Sequence, residues 1–279
     1  MDKEYDSIYN TKLDNIIINR RDLDEIYSPI GSGCEGTIYQ LDKYTAMKIY
    51  TFIDSDLLPN KYAKIELLGQ IKDDSFSFPQ LIVGFENFKK AGYTMHLIEP
   101  NIGCSTIDQL IYIKDQLLKI KVLNKACNAM ERIHKKGICI GDIRGDNILI
   151  NKDYKPIFVD TCNYSMDDFD FDIVPAVTFH YEYIFNKKCS KVDNDKFIFA
   201  RLALQCFMNG TILSMVNSKS YYQQLIKLLD VNKQSKEVLK AIFSDSNDKP
   251  YISEILNEID IDKPLFNKEQ IYSLNMMIH

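Results

Sequence analysis

The 279-residue sequence lacks the features that indicate a nucleic-acid-binding, secreted or membrane protein. The formal net charge is −5, so no excess of positive charge favours general nucleic-acid binding. No apolar run approaches the roughly 20 residues that a membrane-spanning helix needs. Residues 1–6 are too charged for a secretory signal. We therefore expect neither a nucleic-acid nor a membrane partner.

Paired cysteines are also missing. The seven cysteines are scattered, odd in number and never spaced as C-x-x-C, which argues against a disulfide framework and against a zinc site. We expect reduced thiols in a cytoplasmic protein, or in the host cytoplasm if the chain is viral or a secreted effector.

The residues that are present point to phosphate chemistry, most clearly between positions 140 and 160. Asp142 lies five residues before Asn147, and Asp160 follows thirteen residues later at the end of an apolar, strand-like run. Phosphoryl transfer from a metal–nucleotide complex needs one aspartate to orient the attacking hydroxyl, and an asparagine and an aspartate to hold magnesium. The sequence therefore predicts Asp142 as a catalytic residue and Asn147 and Asp160 as metal ligands.

A glycine-rich segment at 30–39 supplies a second candidate site. Its G-x-G-x-x-G pattern is typical of a flap whose backbone N–H groups approach phosphates, or of a β-hairpin with a glycine turn. It is not a dinucleotide-binding fingerprint, because residues 37–39 continue as a strand and no helix begins there. The residues expected to contact the nucleotide here are Ile30, Gly31, Ser32, Gly33, Cys34, Gly36 and Ile38.

A lysine and a glutamate complete the set. Lys48 lies in an apolar strand-type run at 44–50, and Glu66 lies eighteen residues later in a helical stretch at 57–72. An exposed strand lysine and a solvated helix glutamate are the alternatives. Since a glycine flap precedes them, we expect Lys48 to contact phosphates and Glu66 to hold it by an ion pair.

The chain changes from strand-rich to helix-rich at Glu99-Pro100-Asn101. We predict an N-terminal extension at 1–26, a small lobe at 27–99 and a large lobe at 100–279. The apolar run at 16–18 is either an added strand or an arm over the first sheet. His134, near a helix end, is expected to have a structural role rather than a catalytic one.

Taken together, residues 30–210 resemble a protein kinase. The matching residues are Gly31, Gly33, Gly36, Lys48, Glu66, Asp142, Asn147, Asp160, Glu182 and Asp195. The resemblance implies an α+β, bilobal fold, with a small antiparallel sheet and one main helix in the first lobe and a mainly helical second lobe. It also implies that the nucleotide contacts Ile98, at the gatekeeper position, and Glu99 and Asn101 in the hinge.

The chain departs from the usual kinase motifs at two places. H-R-D is replaced by Ile140-Gly141-Asp142, and D-F-G by Asp160-Thr161-Cys162. Arg144 takes the place of the lysine that many serine/threonine kinases aim at the transferred phosphate. In this respect the chain resembles a divergent bacterial group of kinase-like domains that carry G-D-x-x-x-x-N at this place.

The resemblance implies an ATP- and Mg²⁺-dependent transferase that phosphorylates serine or threonine on a protein substrate. Two alternatives stay open. One is a small-molecule phosphotransferase of the aminoglycoside or choline kinase type, for which the acidic stretch at 167–172 would attract a cationic substrate. The other is a nucleotide-binding pseudokinase that acts through protein contacts.

Overall fold

A computed structural model of the protein describes residues 13–19, 21, 23–33, 35–51, 58–86, 90–166, 169–170, 178–208, 218–260, 262–263, 265–266 and 269. The chain forms two compact units. The first comprises Met1–Glu99 with Phe158–Cys162, and the second comprises Pro100–Ile157 with Asn163–His279. The α+β class predicted from the sequence is confirmed.

The first unit is built on a six-stranded sheet with the order β1-β5-β6-β4-β3-β2. Its strands are β1 (Asn15–Ile18), β2 (Ser28–Ser32), β3 (Gly36–Gln40), β4 (Thr45–Tyr50), β5 (Pro79–Phe85) and β6 (Lys90–His96). Only the β1–β5 pair is parallel, so the sheet is mostly antiparallel. Of the two alternatives for the apolar run at 16–18, the structure has the added strand. The helices are α1 (Leu23–Ile26) and α2 (Leu58–Leu68).

Strand β4 is buried on both faces because each face packs on its own apolar core. Met47 and Ile49 pack with Val83 of β5 on one face. Ala46 and Tyr50 pack on the other. Side chains alternate along a strand, so Lys48 shares the face of Ala46 and Tyr50. Tyr62 and Ile65 of α2 pack on this same face, together with Tyr93 of β6.

The short segment Phe158–Cys162 belongs to the first unit, although the sequence predicted it in the second. Backbone pairing explains the correction. The N–H of Phe158 donates to Ser75 O at 2.8 Å, and the N–H of Ser77 donates to Phe158 O at 2.8 Å. The Phe158 ring also stacks on Phe76, with centroids 4.9 Å apart.

The second unit is mainly helical. Its helices are α3 (Gln116–His134), α4 (Thr178–Phe185), α5 (Lys191–Phe207), α6 (Lys219–Leu228), α7 (Lys233–Ile242) and α8 (Ser253–Leu256). Two small sheets pair β7 (Ile138–Cys139) with β10 (Ser165–Met166), and β8 (Ile148–Ile150) with β9 (Pro156–Phe158). Among the residues described, no helix has both the length and the apolar character that crossing a membrane requires.

Helix α5 is the centre of this unit, since apolar residues surround it on most sides. Its Phe197 ring makes edge-to-face contacts with Tyr181, Tyr222 and Phe243. From Phe197 to Phe207 most residues of the helix are apolar, as expected of a buried helix. Ser190 caps its start by accepting a hydrogen bond from the N–H of Asp193 at 3.1 Å.

Candidate functional site

The strand lysine is the centre of a buried charge cluster in the first unit. Lys48 is only 6% exposed. Its Nζ lies 2.5 Å from Asp160 Oδ1 and 2.9 Å from Glu35 Oε2. A buried ammonium is stable only when it is paired, so these two carboxylates hold it in place. Lys48 and Asp160 are 112 positions apart in the chain. The sequence predicts that Lys48 contacts phosphates and that Asp160 binds metal, and the structure brings the two side chains into contact.

Asp160 is held in an unusual backbone conformation. Its φ is +56°, in the left-handed region, which aspartate tolerates better than most residues. The next residue, Thr161, donates its hydroxyl to Ser77 O at 3.1 Å. Cys162 is fully buried, and its sulfur lies 3.6 Å from Lys48 Nζ. These contacts anchor the chain directly after Asp160, whose carboxylate lies against the lysine.

Glu35 bridges two lysines. Its second oxygen, Oε1, lies 2.9 Å from the Nζ of Lys61 on α2. Burial alone would raise the pKa of Glu35, but Lys48 and Lys61 outweigh it and lower that pKa to about 2. Burial likewise disfavours charged Lys48, but the acidic groups around it raise its pKa well above the ordinary value. Glu35 and Lys48 are therefore both charged at neutral pH.

Glu66 does not hold Lys48, so the predicted ion pair is wrong. Its carboxylate instead lies 3.0 Å from the Nζ of Lys90 on β6. An α-helix turns about 100° per residue, so Glu66 lies about 140° around α2 from Lys61. Because Lys61 faces the Lys48 cluster, Glu66 points elsewhere. Sequence reasoning missed Glu35 because it treated the glycine turn as backbone alone.

The low pKa of Glu35 predicts a specific acid sensitivity. Its folded pKa is below the ordinary 4.5, so its stabilising contribution is present above pH 4.5 and is lost as the pH falls towards 2. At 1.36 kcal/mol per pKa unit the contribution is about 3 kcal/mol. Urea unfolding measured through this range should show that Glu35→Gln loses stability less steeply than the wild type. The exposed Glu25→Gln is the control, and wild-type and Glu35→Gln curves that stay parallel would contradict the expectation.

The glycine-rich segment is a hairpin between β2 and β3. The N–H of Gly33 donates to Gly36 O at 2.9 Å across its turn. Ile30 is half exposed, Ser32 is exposed, and Ile38 lies opposite Lys48 in the β3–β4 register. Cys34 lies outside the described residues. The hairpin therefore places Ile38 beside Lys48 and leaves the side chains of Ile30 and Ser32 open to solvent.

Two glycines of this turn differ in their surroundings. Alanine substitutions at the two positions therefore test the fold and the nucleotide contact separately. A Cβ on Gly36 would collide with the carbonyl oxygen of Ile49, whereas a Cβ on Gly33 would meet nothing within 4 Å. We expect Gly36→Ala to destabilise the sheet. Gly33→Ala should keep the melting temperature but raise the Kd for ATP about tenfold, or 1.4 kcal/mol, if the turn approaches phosphates. Calorimetry and thermal unfolding of both variants test this; an unchanged Kd in Gly33→Ala would show that the turn stays away from the phosphates.

In the second unit, the loop after β7 carries a compact polar set. The Nδ2 of Asn147 donates to Asp142 Oδ2 at 2.8 Å and to Asp142 O at 3.1 Å. Arg144 is half exposed, and its guanidinium forms a two-pronged pair with Asp146 at 3.1 and 2.9 Å. Its Nε also lies 3.8 Å from Asp142 Oδ2. The loop thus holds a carboxylate, an amide and a cation side by side.

A buried aspartate of α5 shapes this loop. Asp195 is fully buried and accepts hydrogen bonds from the N–H groups of Ile140 at 2.7 Å and Gly141 at 2.9 Å. It also contacts His134 Nε2 at 3.0 Å, while His134 Nδ1 lies 2.8 Å from the Tyr251 hydroxyl. Asp195 therefore fixes the backbone directly before Asp142. Both ring nitrogens of His134 take part in these contacts, which are structural.

The predicted hinge and activation residues are divided between the two units. Ile98 is half-buried and Glu99 exposed at the end of the first unit. In the second unit, the N–H of Asn101 donates to Ile150 O at 2.8 Å. Glu182 is half-buried in α4. Of the acidic stretch at 167–172, only residues 169 and 170 are described.

The donor atoms near Lys48 decide what metal the site would accept. Glu35, Asp160 and Cys162 offer three ligand atoms within 4.8 Å of one another. A thiol is a soft ligand that magnesium avoids, and Lys48 already neutralises both carboxylates. Of the two carboxylates, Asp160 is the more accessible to an ion, because its side chain is 32% exposed and that of Glu35 is 12% exposed. The amide oxygen of Asn147 is equally suitable, because its nitrogen is committed to Asp142. Each of the two residues, in its own unit, offers an oxygen that suits a hard, oxygen-seeking ion.

Comparison with known proteins adds no family to this description. No protein-family model and no curated protein sequence matches the chain.

Proposed function

We propose that the protein is an ATP- and Mg²⁺-dependent kinase with a two-lobed, protein-kinase-like fold that phosphorylates serine or threonine hydroxyls on a protein. The contact between Lys48 and Asp160 carries this proposal. A lysine that grips phosphates and an aspartate that binds their magnesium must lie side by side, since both act on the same phosphate chain. A structural role alone does not account for the arrangement, because burying an ion pair costs desolvation that an apolar pair of similar volume would avoid.

In the first unit, Lys48 would contact the α- and β-phosphates and the glycine turn would cover them. Asp160 and, in the second unit, Asn147 would each hold magnesium. The ion, when bound, would neutralise negative charge on the β- and γ-phosphates. Such a site works by positioning and electrostatics, so rigid anchoring of these side chains supports the role.

In the second unit, Asp142 would orient the attacking hydroxyl and accept its proton. The amide of Asn147 donates to one oxygen of this carboxylate and so fixes its direction. Arg144 would offset charge on the transferred phosphoryl group. Its guanidinium is half exposed, and its planar set of N–H donors matches the geometry of a phosphate.

The test is incubation of the purified protein with γ-labelled ATP and Mg²⁺, alone and with generic protein substrates, followed by phosphoamino-acid analysis. Label on serine or threonine supports the proposal. Label only on added aminoglycoside or choline would indicate a small-molecule phosphotransferase. Calorimetric binding of Mg²⁺–ATP without any transfer would indicate a nucleotide-binding protein that acts through contacts.

A further inference from the structure

We infer that Glu35, in the glycine-rich turn, is the positioning residue that holds Lys48 towards the nucleotide phosphates, in place of a glutamate on helix α2. This inference rests on the proposed function and assigns to Glu35 the role that was predicted for Glu66.

The backbone of Glu35 is anchored where it can perform this role. Its carbonyl oxygen accepts a hydrogen bond from the N–H of Thr51 at 2.9 Å, directly after strand β4. The next residue, Gly36, lies opposite Tyr50 in the β3–β4 register. Glu35 is thus tied to the strand that carries Lys48, and its side chain is directed from a fixed base rather than from a free loop tip.

The carboxylate itself is held at both oxygens. Oε2 lies 2.9 Å from Lys48 and Oε1 lies 2.9 Å from Lys61, and the Glu35 side chain is only 12% exposed. The Nζ of Lys61 also lies 4.6 Å from the centre of the Tyr50 ring, which favours a cation there. Glu35 therefore joins the glycine turn, strand β4 and helix α2 through one carboxylate.

The second partner of Lys48 cannot replace Glu35 during the reaction. In the proposed function, the carboxylate of Asp160 would also bind magnesium, and its ion pair with Lys48 would then be weaker. A second carboxylate must then keep the ammonium in place. Glu35 is suited to this because its second carboxylate oxygen contacts Lys61, which is not one of the proposed metal ligands.

The test compares Glu35→Gln with Glu66→Gln and with the conservative Glu35→Asp. We expect Glu35→Gln to raise the KM for ATP about tenfold or more and to lower kcat less, since Lys48 binds phosphates in both the ground and transition states. Glu35→Asp should recover part of the loss. Glu66→Gln should leave both constants unchanged, since its carboxylate contacts Lys90.

A second measurement is independent of turnover. Acetic anhydride labelling, read by peptide mass spectrometry, reports how fast each lysine reacts. Lys48 should react several-fold faster in Glu35→Gln and at the wild-type rate in Glu66→Gln. Lys90, the partner of Glu66, should react faster only in Glu66→Gln. If Glu35→Gln folds poorly, the same labelling is measured in Lys61→Gln. That substitution removes one of the contacts that hold the Glu35 carboxylate, so Lys48 should be labelled faster than in the wild type, but to a smaller extent.

The outcomes separate this inference from the proposed function. If the wild type binds Mg²⁺–ATP, and Glu66→Gln raises the KM while Glu35→Gln does not, the inference is overturned and the kinase proposal stands. If the wild type binds no ATP, both are overturned. Loss of ATP affinity in Glu35→Gln, with partial rescue by aspartate, supports both.

Discussion

Replacing Asp142 with asparagine is expected to lower the rate of phosphoryl transfer by about 10²- to 10⁴-fold, the usual contribution of a positioned general base. The substitution keeps the shape of the side chain. Its amide oxygen can still accept the 2.8 Å hydrogen bond from Asn147, so the loop should keep its conformation. What it loses is the ability to take a proton from the attacking hydroxyl. Single-turnover transfer from γ-labelled ATP measures the effect.

The affinity for Mg²⁺–ATP should be unchanged in Asp142→Asn, because this residue is assigned to the acceptor and not to the nucleotide. Asp153→Asn is the matched control, since it makes the same chemical change on an exposed turn of the same unit. Transfer at the wild-type rate in Asp142→Asn would remove Asp142 from the mechanism. A large loss of ATP affinity would instead show that it helps to bind nucleotide.

The strands and long helices could be predicted because their patterns are local. The strand-type run at 44–50 became β4, Thr45–Tyr50, and the helical stretch at 57–72 became α2, Leu58–Leu68. Asp115 begins α3 by accepting a hydrogen bond from the N–H of Leu118, a capping arrangement that depends on neighbouring residues alone. Patterns of this kind need no knowledge of the distant chain.

The partner of Lys48 could not be predicted in the same way, because it depends on which side of α2 faces the sheet. Ile65 is fully buried and marks the centre of the buried face. At about 100° per residue, Lys61 lies only about 40° from it and Glu66 about 100° away. This rotation was readable from the sequence, but spacing along the chain favoured Glu66. The membership of Phe158–Cys162 in the first unit depends on long-range backbone pairing and has no local signal.

Replacing Asp160 with asparagine is expected to lower the rate of phosphoryl transfer by more than about 100-fold. Loss of a residue that only supports a metal ligand costs up to about 100-fold, and Asp160 would be the ligand itself. The change removes the charge of the carboxylate that both pairs with Lys48 and would bind magnesium. Asparagine still offers an oxygen to Lys48, and Glu35 still neutralises that lysine, so the fold should persist. The defect should therefore appear in metal dependence rather than in stability.

The decisive measurement is ATP binding at increasing Mg²⁺ concentration. Magnesium should strengthen ATP binding to the wild type and strengthen it much less in Asp160→Asn, since the neutral amide is a poorer ligand for a hard cation. Asp42→Asn is the control: its exposed carboxylate in the same unit accepts a hydrogen bond from the N–H of Tyr44, which asparagine can preserve. An equal magnesium response in wild type and Asp160→Asn would mean that the Lys48–Asp160 pair is structural, and the observation that carries the kinase proposal would lose its force.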